Sequence, residues 1–309
     1  MCNRLIICAI FFSGFMSGCQ KAPLYRNTRV MLGTFVEVVS DESSASEIVF
    51  SEIKRIEGLL NKYDPQSEIS RLNRYGSLAV SPETLYIIEK AKYFWQASSG
   101  AFDITVGPLL DLWGFSDKKY RKPTQAEVNR ALRLVGSDKI ILDKNNNSVK
   151  LKLPGMKLDL GAIAKGYAVD CAVKRLRGQG IKNCLINAGG DIYCLGDNSG
   201  KPWRVAVQDP RKRGPLGNLK LENVAVATSG DYAQYFIKDK RRYSHIINPK
   251  TGYPADSGVT SATAVASDCL TSDALVTIIV VLGKQGAEKL LDQFPDVKTW
   301  IIEKERDNA

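Results

Sequence analysis

The 309-residue sequence contains one histidine, His245, and its cysteines form no CxxC pair. The missing pairs exclude a zinc ribbon or a thioredoxin-like site. GxxxxGK[ST] is absent, so there is no P-loop, and without GxSxG the lone histidine has no nucleophile elbow to serve. No apolar run is long enough for a comfortable membrane span. Nor is there an aromatic ladder, helix-turn-helix pattern or zinc-knuckle spacing that would turn the net charge of +10 into a nucleic-acid site. Internal repeats, low-complexity segments and long linkers are also missing. With 44% hydrophobic and 25% charged residues, the chain is expected to form one large domain or two intimate ones.

The N-terminus carries a pattern of its own. Arg4 precedes the apolar run Leu5–Phe12, and small residues lead to Ser17-Gly18-Cys19. This reads as a lipoprotein signal peptide over 1–18 with lipidation at Cys19, then a polar tether over 19–30 and a folded domain over 31–303; an uncleaved anchor or ordinary secretion are the alternatives. The expected location is the periplasmic face of a bacterial membrane. The inner membrane is favoured, and Gln20 leaves outer-membrane sorting open. Removing the leader takes Arg4 and about one unit of charge. Arg211-Lys212-Arg213 and Lys240-Arg241-Arg242 read as solvated loops or as sites for an acidic partner. Cys171, Cys184, Cys194 and Cys269 remain in the mature chain, as buried thiols or with a disulfide between Cys184 and Cys194.

Periodicity predicts a strand over 34–39, a helix from Ser44 to about Asn61, and a helix after the capping Ser81 and Pro82 that Gly100 stops. A third helix is expected over 124–135, then strands at 140–142 and 149–153 joined through Asn145-Asn146-Asn147. Beyond Pro154 the pattern is strand 157–160, helix 162–178, strand 183–187, strand-like runs at 193–195, 203–207, 224–227, 243–247 and 260–266, helices 269–282 and 284–293, and a last strand over 298–302. Strands cluster and helices stand apart, which favours α+β over a doubly wound sheet.

Four junctions hold more glycine and polar detail than packing requires. In Ser98–Pro108, a glycine-flanked loop presents Asp103, either to grip a ring edge or simply to stop a helix. Asp159–Tyr167 turns through Gly161 into a helix whose N-terminus, with Lys165, suits a diphosphate; a tight turn with a solvated lysine is the plain alternative. Asn187–Asp191, Thr228–Asp231 and Tyr243–Gly252 set hydroxyls or amides beside glycine, and each also makes a good turn. His245 is the only side chain that supplies a neutral base near physiological pH without a large pKa shift. In Ser267–Thr277, Asp268 and Thr271 can cap a helix. Asp273 and Thr277, four apart, share a face within an apolar stretch, which is costly unless something charged such as magnesium meets them.

In their order along the chain, Leu32-Gly33-Thr34, Tyr63-Asp64-Pro65 with Ser67 and Asn73, Gly100–Pro108, Asp159–Tyr167, Asn187–Asp191, Thr228–Asp231, His245–Gly252 and Asp273–Thr277 resemble the ApbE family of FAD:protein FMN transferases. The resemblance spans Leu32 through Trp300. It implies two packed α+β layers closing over FAD. The implied FAD contacts are Leu32, Tyr63, Ala101, Phe102, Asp103, Gly161, Lys165, Thr228, Ser229 and His245. Magnesium is implied at Asp273 and Thr277, with backbone carbonyls near Ala164 and Val276. His245 and Lys165 become the catalytic pair. Methionine is common in the family where this chain has Leu32, and leucine keeps a hydrophobic contact there. The implied reaction moves FMN from FAD to a threonine hydroxyl of a membrane redox-protein subunit and releases AMP. FAD hydrolysis to FMN and AMP, and a non-catalytic flavin-binding lipoprotein, are the alternatives.

Overall fold

The computed structural model describes residues 23–304 apart from Arg213. The expected signal peptide and the expected lipidation site at Cys19 lie outside the described residues. In chain order the elements are β1 (Tyr25–Met31), β2 (Thr34–Ser40), α1 (Ala45–Leu60), α2 (Glu68–Tyr75), β3 (Ser77–Ala79), α3 (Pro82–Ala97), α4 (Gly107–Trp113) and α5 (Gln125–Leu132). Then come β4 (Ile140–Asp143), β5 (Ser148–Leu151), α6 (Ala164–Gly178), β6 (Cys184–Ala188), β7 (Asp191–Leu195), β8 (Trp203–Gln208) and β9 (Pro215–Leu221). The chain closes with β10 (Val224–Gly230), β11 (Tyr235–Lys238), β12 (Arg241–Ser244), β13 (Val259–Ala266), α7 (Cys269–Leu291) and β14 (Lys298–Glu303).

The frame is a seven-stranded sheet in the order β1-β2-β6-β7-β10-β13-β14, antiparallel at every pairing. Alternation along β2 divides its side chains between two cores. Val36 and Val38 join the main core with residues of α1, α6 and α7, while Val39 joins a second core with Trp203, Val205 and Leu221 of the β8–β9 hairpin. β13 is covered on both faces and is buried at every residue. A third cluster joins Leu109 and Trp113 of α4 to Tyr243 of β12 and Ile247. The fold is α+β, as the segregation of helix and strand patterns predicts.

The structure departs from the sequence reading in several places. The polar stretch expected as a tether forms β1 from Tyr25 onward, because its edge pairs with β2 and its inner face lays Arg29 over the Phe50 ring at 4.5 Å. The expected strand over 157–160 joins no sheet. Its backbone is satisfied instead by the Asn73 side chain, which bonds both the N–H and the carbonyl of Leu158, and by the Ile104 carbonyl, which accepts from the Asp159 N–H. The run at 243–247 leaves its strand after Ser244. The two helices expected at 269–282 and 284–293 form one element broken at Gly283, whose φ of 75° is non-helical.

No disulfide joins Cys184 and Cys194, and both thiols are free. Cys184 pairs with Leu195 and Leu185 with Cys194, one position out of register. With a period of two, the sulfurs therefore point to opposite faces of the sheet, Cys184 into the main core and Cys194 into the second.

Glycine at 166 is required by the approach of α6 to α7. A Cβ there would lie 2.5 Å from the Cys269 carbonyl oxygen and 2.9 Å from the Leu270 Cα, both backbone atoms that cannot rotate away. Gly166→Ala is expected to force the helices apart and cost about 1–3 kcal/mol. Thermal melting checks this. A variant that melts within about a degree of wild type would show that α6 and α7 separate freely.

Candidate active site

One cavity of about 530 Å³ lies where the N-terminus of α6, the middle of α7 and the ends of the central strands meet. That size suits a large cofactor or nucleotide. Its floor and walls are set by turns that the sequence encodes locally. At the β1–β2 hairpin, Leu32 and Gly33 both take positive φ, 54° and 70°, as a two-residue hairpin turn demands. The Leu32 N–H donates to Glu57 Oε1 at 3.0 Å, which fixes the turn on α1. At the β6–β7 hairpin, Gly189 and Gly190 have φ of 65° and 101°, and the Gly190 N–H donates to Asn187 Oδ1. That turn delivers Asp191 into the cavity wall.

The residues implied for flavin contact converge. Leu32, Ala101, Phe102 and Gly161 line the cavity, as do Thr228 and Ser229 from the end of β10. Tyr63 stands at the rim, 66% exposed, with Lys62 Nζ 4.9 Å from its ring centroid. Lys62 is tied in turn to Asp159 at 2.6 Å.

Asp103 lines the cavity too, but its carboxylate is committed elsewhere. It accepts from the Thr105 N–H and hydroxyl and from the Ser137 N–H and hydroxyl, so it closes its own loop onto residue 137 rather than reaching for a ring edge. The Thr228 hydroxyl faces Thr263 across the β10–β13 pair at 2.9 Å.

Ala164 begins α6 and lines the cavity beside Lys165. The Lys165 ammonium bonds directly to Asp191 and lies 3.6 Å from Asp273 Oδ2. Burial works to lower its pKa, but the two carboxylates outweigh that and hold it charged, above the ordinary lysine value. Burial, then the Asp273 charge, pushes Asp191 upward against the pull of Lys165. Asp273 Oδ2 also accepts from the Gly166 N–H at 3.2 Å, so α7 caps an amide of the first turn of α6.

Asp273 and Thr277 both line the cavity, as their spacing on one helical face predicts. Val276 does not; its side chain is buried in the main core. Two carboxylates against one ammonium leave a buried negative excess, and the exposed donors are hard oxygens. That combination fits a divalent cation such as Mg²⁺. The described residues contain no group of three or more His, Cys, Asp or Glu side chains placed to hold a metal. Side-chain ligation would therefore fall to Asp273 and the Thr277 hydroxyl, and backbone carbonyls and phosphate oxygens would have to complete the sphere.

His245 also lines the cavity, just past β12. Its N–H donates to the Gln234 carbonyl at 3.0 Å, and its Nδ1 lies 3.1 Å from the same oxygen. A carbonyl only accepts, so Nδ1 carries the proton and Nε2 keeps its lone pair. Burial lowers the pKa of His245 from its ordinary 6.5, with a further push from Lys165 against the Gln234 bond and Asp159. The imidazole is thus neutral at pH 7. The Pro-Lys-Thr-Gly turn after it is pinned by Trp113, whose Nε1 donates to the Gly252 carbonyl at 2.8 Å.

Four contributors carry no sequence signal of their own. Glu57 is one polar residue on an amphipathic helix, and Gln234 acts through its carbonyl, which any residue possesses. Lys62 acts through a pair with Asp159 that only the fold creates. Asp170, inside α6, accepts from the Cys269 and Leu270 amides and so anchors the start of α7, while Asp268 caps Thr271 as expected. Burial pushes Asp170 up to about 7 against those two bonds.

The ApbE family profile matches residues 32–301. A Klebsiella pneumoniae FAD:protein FMN transferase is 32% identical, over 92% of this chain and 90% of its own. A Vibrio cholerae FAD:protein FMN transferase is 33% identical, over 87% and 85%. Among solved structures, the ApbE protein of Thermotoga maritima superposes with a TM-score of 0.84 at 36% identity, covering 91% of this chain and 94% of that one. The flavin transferase ApbE of Vibrio cholerae gives 0.83 at 30% identity, covering 93% and 95%.

Proposed function

The chain belongs to the ApbE family and is an FAD:protein FMN transferase, and from that premise we propose that it moves FMN from FAD to a threonine hydroxyl of another protein, with magnesium, releasing AMP. The observation that carries this reading is the sharing of one cavity by the Lys165–Asp273–Thr277 wall and the free Nε2 of His245. Phosphoryl transfer needs little more than positioning and charge stabilisation, and these groups supply both.

In the proposed reaction the α6 N-terminus and the Lys165 ammonium receive the FAD diphosphate. Asp273 and Thr277 would hold Mg²⁺, which when bound would supply neutralisation of the charge on the leaving phosphate. His245 Nε2 takes the proton of the acceptor threonine. The threonine oxygen forms a bond to the FMN phosphorus, and the bond from that phosphorus to the bridging oxygen breaks. AMP leaves with that oxygen, and the proton passes from His245 to solvent. Leu32 and Tyr63 at the mouth hold the flavin ring, and the Asp103 loop shapes the pocket beside it. Acceptors are membrane redox-protein subunits, and the enzyme is anchored at the periplasmic face of a membrane through lipid on Cys19.

The test incubates the protein with FAD and Mg²⁺, with and without a membrane flavoprotein subunit carrying a candidate threonine. Transfer leaves a fluorescent band on the acceptor that survives denaturation, with AMP released in equal amount. AMP and FMN formed at the same rate without acceptor, and no labelled band with it, would identify hydrolysis as the reaction instead.

A further inference from the structure

The Lys165 ammonium is shared unequally between two buried carboxylates. It touches Asp191 directly, whereas Asp273 Oδ2 is 3.6 Å away. The three side chains come from three elements, α6, β7 and α7, so their spacing is fixed by the packing of the fold. Asp191 is 4% exposed at its side chain, and among the described residues its carboxylate has no hydrogen-bond partner except Lys165. Asp273, in contrast, faces the cavity with Thr277 one turn away, and only its Oδ2 is engaged by protein donors.

A buried ammonium takes whichever carboxylate it can reach. If the charge of Asp191 is removed, the remaining carboxylate in reach of Lys165 is Asp273, and a divalent cation must then compete with the ammonium for it. We propose that Asp191 is a positioning residue that holds the Lys165 ammonium on the β7 side of the cavity and so leaves the Asp273 carboxylate free for a divalent cation. This rests on the reading that such a cation binds at Asp273. It assigns to the Gly189-Gly190 turn, which sets the position of Asp191, a role in metal affinity.

The experiment is a Mn²⁺ titration followed by electron paramagnetic resonance of the free ion, without FAD, so that turnover plays no part. Asp191→Asn is expected to weaken Mn²⁺ binding roughly tenfold or more, the range seen when the outer partner of a metal ligand is lost. In a Lys165→Met background the same change is expected to cost less than about threefold, because no ammonium remains to be misdirected. Asp191→Glu is expected to stay near wild type.

Plain loss of a negative charge predicts the same factor in both backgrounds, so equal factors overturn the proposal. A wild-type protein that takes up no Mn²⁺ removable by Asp273→Ala would overturn the metal reading itself, and this inference with it. Should Asp191→Asn not fold, a crystal structure of wild type with Mn²⁺ decides. Lys165 must remain on Asp191 and stand beyond the ~4 Å of an ion pair from Asp273; an ammonium found on Asp273 or swung free of Asp191 overturns it.

Discussion

Alanine at position 273 is expected to lower FMN transfer roughly a hundred- to a thousandfold, the size of effect seen when one preorganised electrostatic group is removed from a reaction centre. The fold should survive the change. Asp273 is buried, but the ammonium beside it keeps Asp191 as a direct partner, so no uncompensated cation is left behind. What the fold loses is the bond from the Gly166 N–H, about 1 kcal/mol, offset by the relief of repulsion between two neighbouring carboxylates. Fluorescence of acceptor-bound flavin at saturating FAD and Mg²⁺ measures the first effect, and thermal melting the second. A variant that labels its acceptor at a substantial fraction of the wild-type rate, with or without chelator, would remove Asp273 from the reaction.

The second large effect concerns His245, where glutamine keeps a neutral polar side chain and removes the base. Transfer is expected to fall about 10²–10⁴-fold. The pH profile carries the sharper statement. Because burial depresses the imidazole pKa below 6.5, the base is available at pH 7 and is lost as the solution is acidified through that lowered value. The sign for stability is the same. The unfolded chain takes up a proton near 6.5 while the folded chain resists it, so stability attributable to this histidine falls as pH drops below that point. Wild-type enzyme should show an acid limb below 6.5 that His245→Gln lacks. A limb near 7 that persists in the variant would belong to Asp170, pushed up to about that value by burial, and would dismiss His245 as the titrating base.

Much of this arrangement was legible in the sequence because it is encoded locally. The Asp273–Thr277 spacing places both on one helical face, the glycine before α6 opens its N-terminus, and a single histidine is its own signal. The α+β class followed from long, well-patterned segments. What escaped was either short or dependent on distant partners. α2 is eight residues with only Ile69 and Leu72 buried, too little to show a period. α4 begins at Gly107-Pro108 inside a stretch that reads as loop. β1 is polar because it is an edge, held by β2 on one side only. Asp103 pointed toward ligand in the sequence, yet its obligations lie with Thr105 and Ser137, and nothing near it in the chain announces Ser137.

The cleft draws on both ends of the folded chain. Leu32 and Gly33 come from the first hairpin, while Asp273 and Thr277 come from a helix that packs on β10 and β13 near the C-terminal side. Such a cleft has no half-built form. A nascent or truncated polypeptide lacking its last helix owns most of the cavity lining but cannot cap α6 or present the Asp273–Thr277 pair, so the proposed metal site waits until synthesis has passed that helix. On the proposed reading, metal-dependent flavin capture is then a report that the chain has been made and folded through α7.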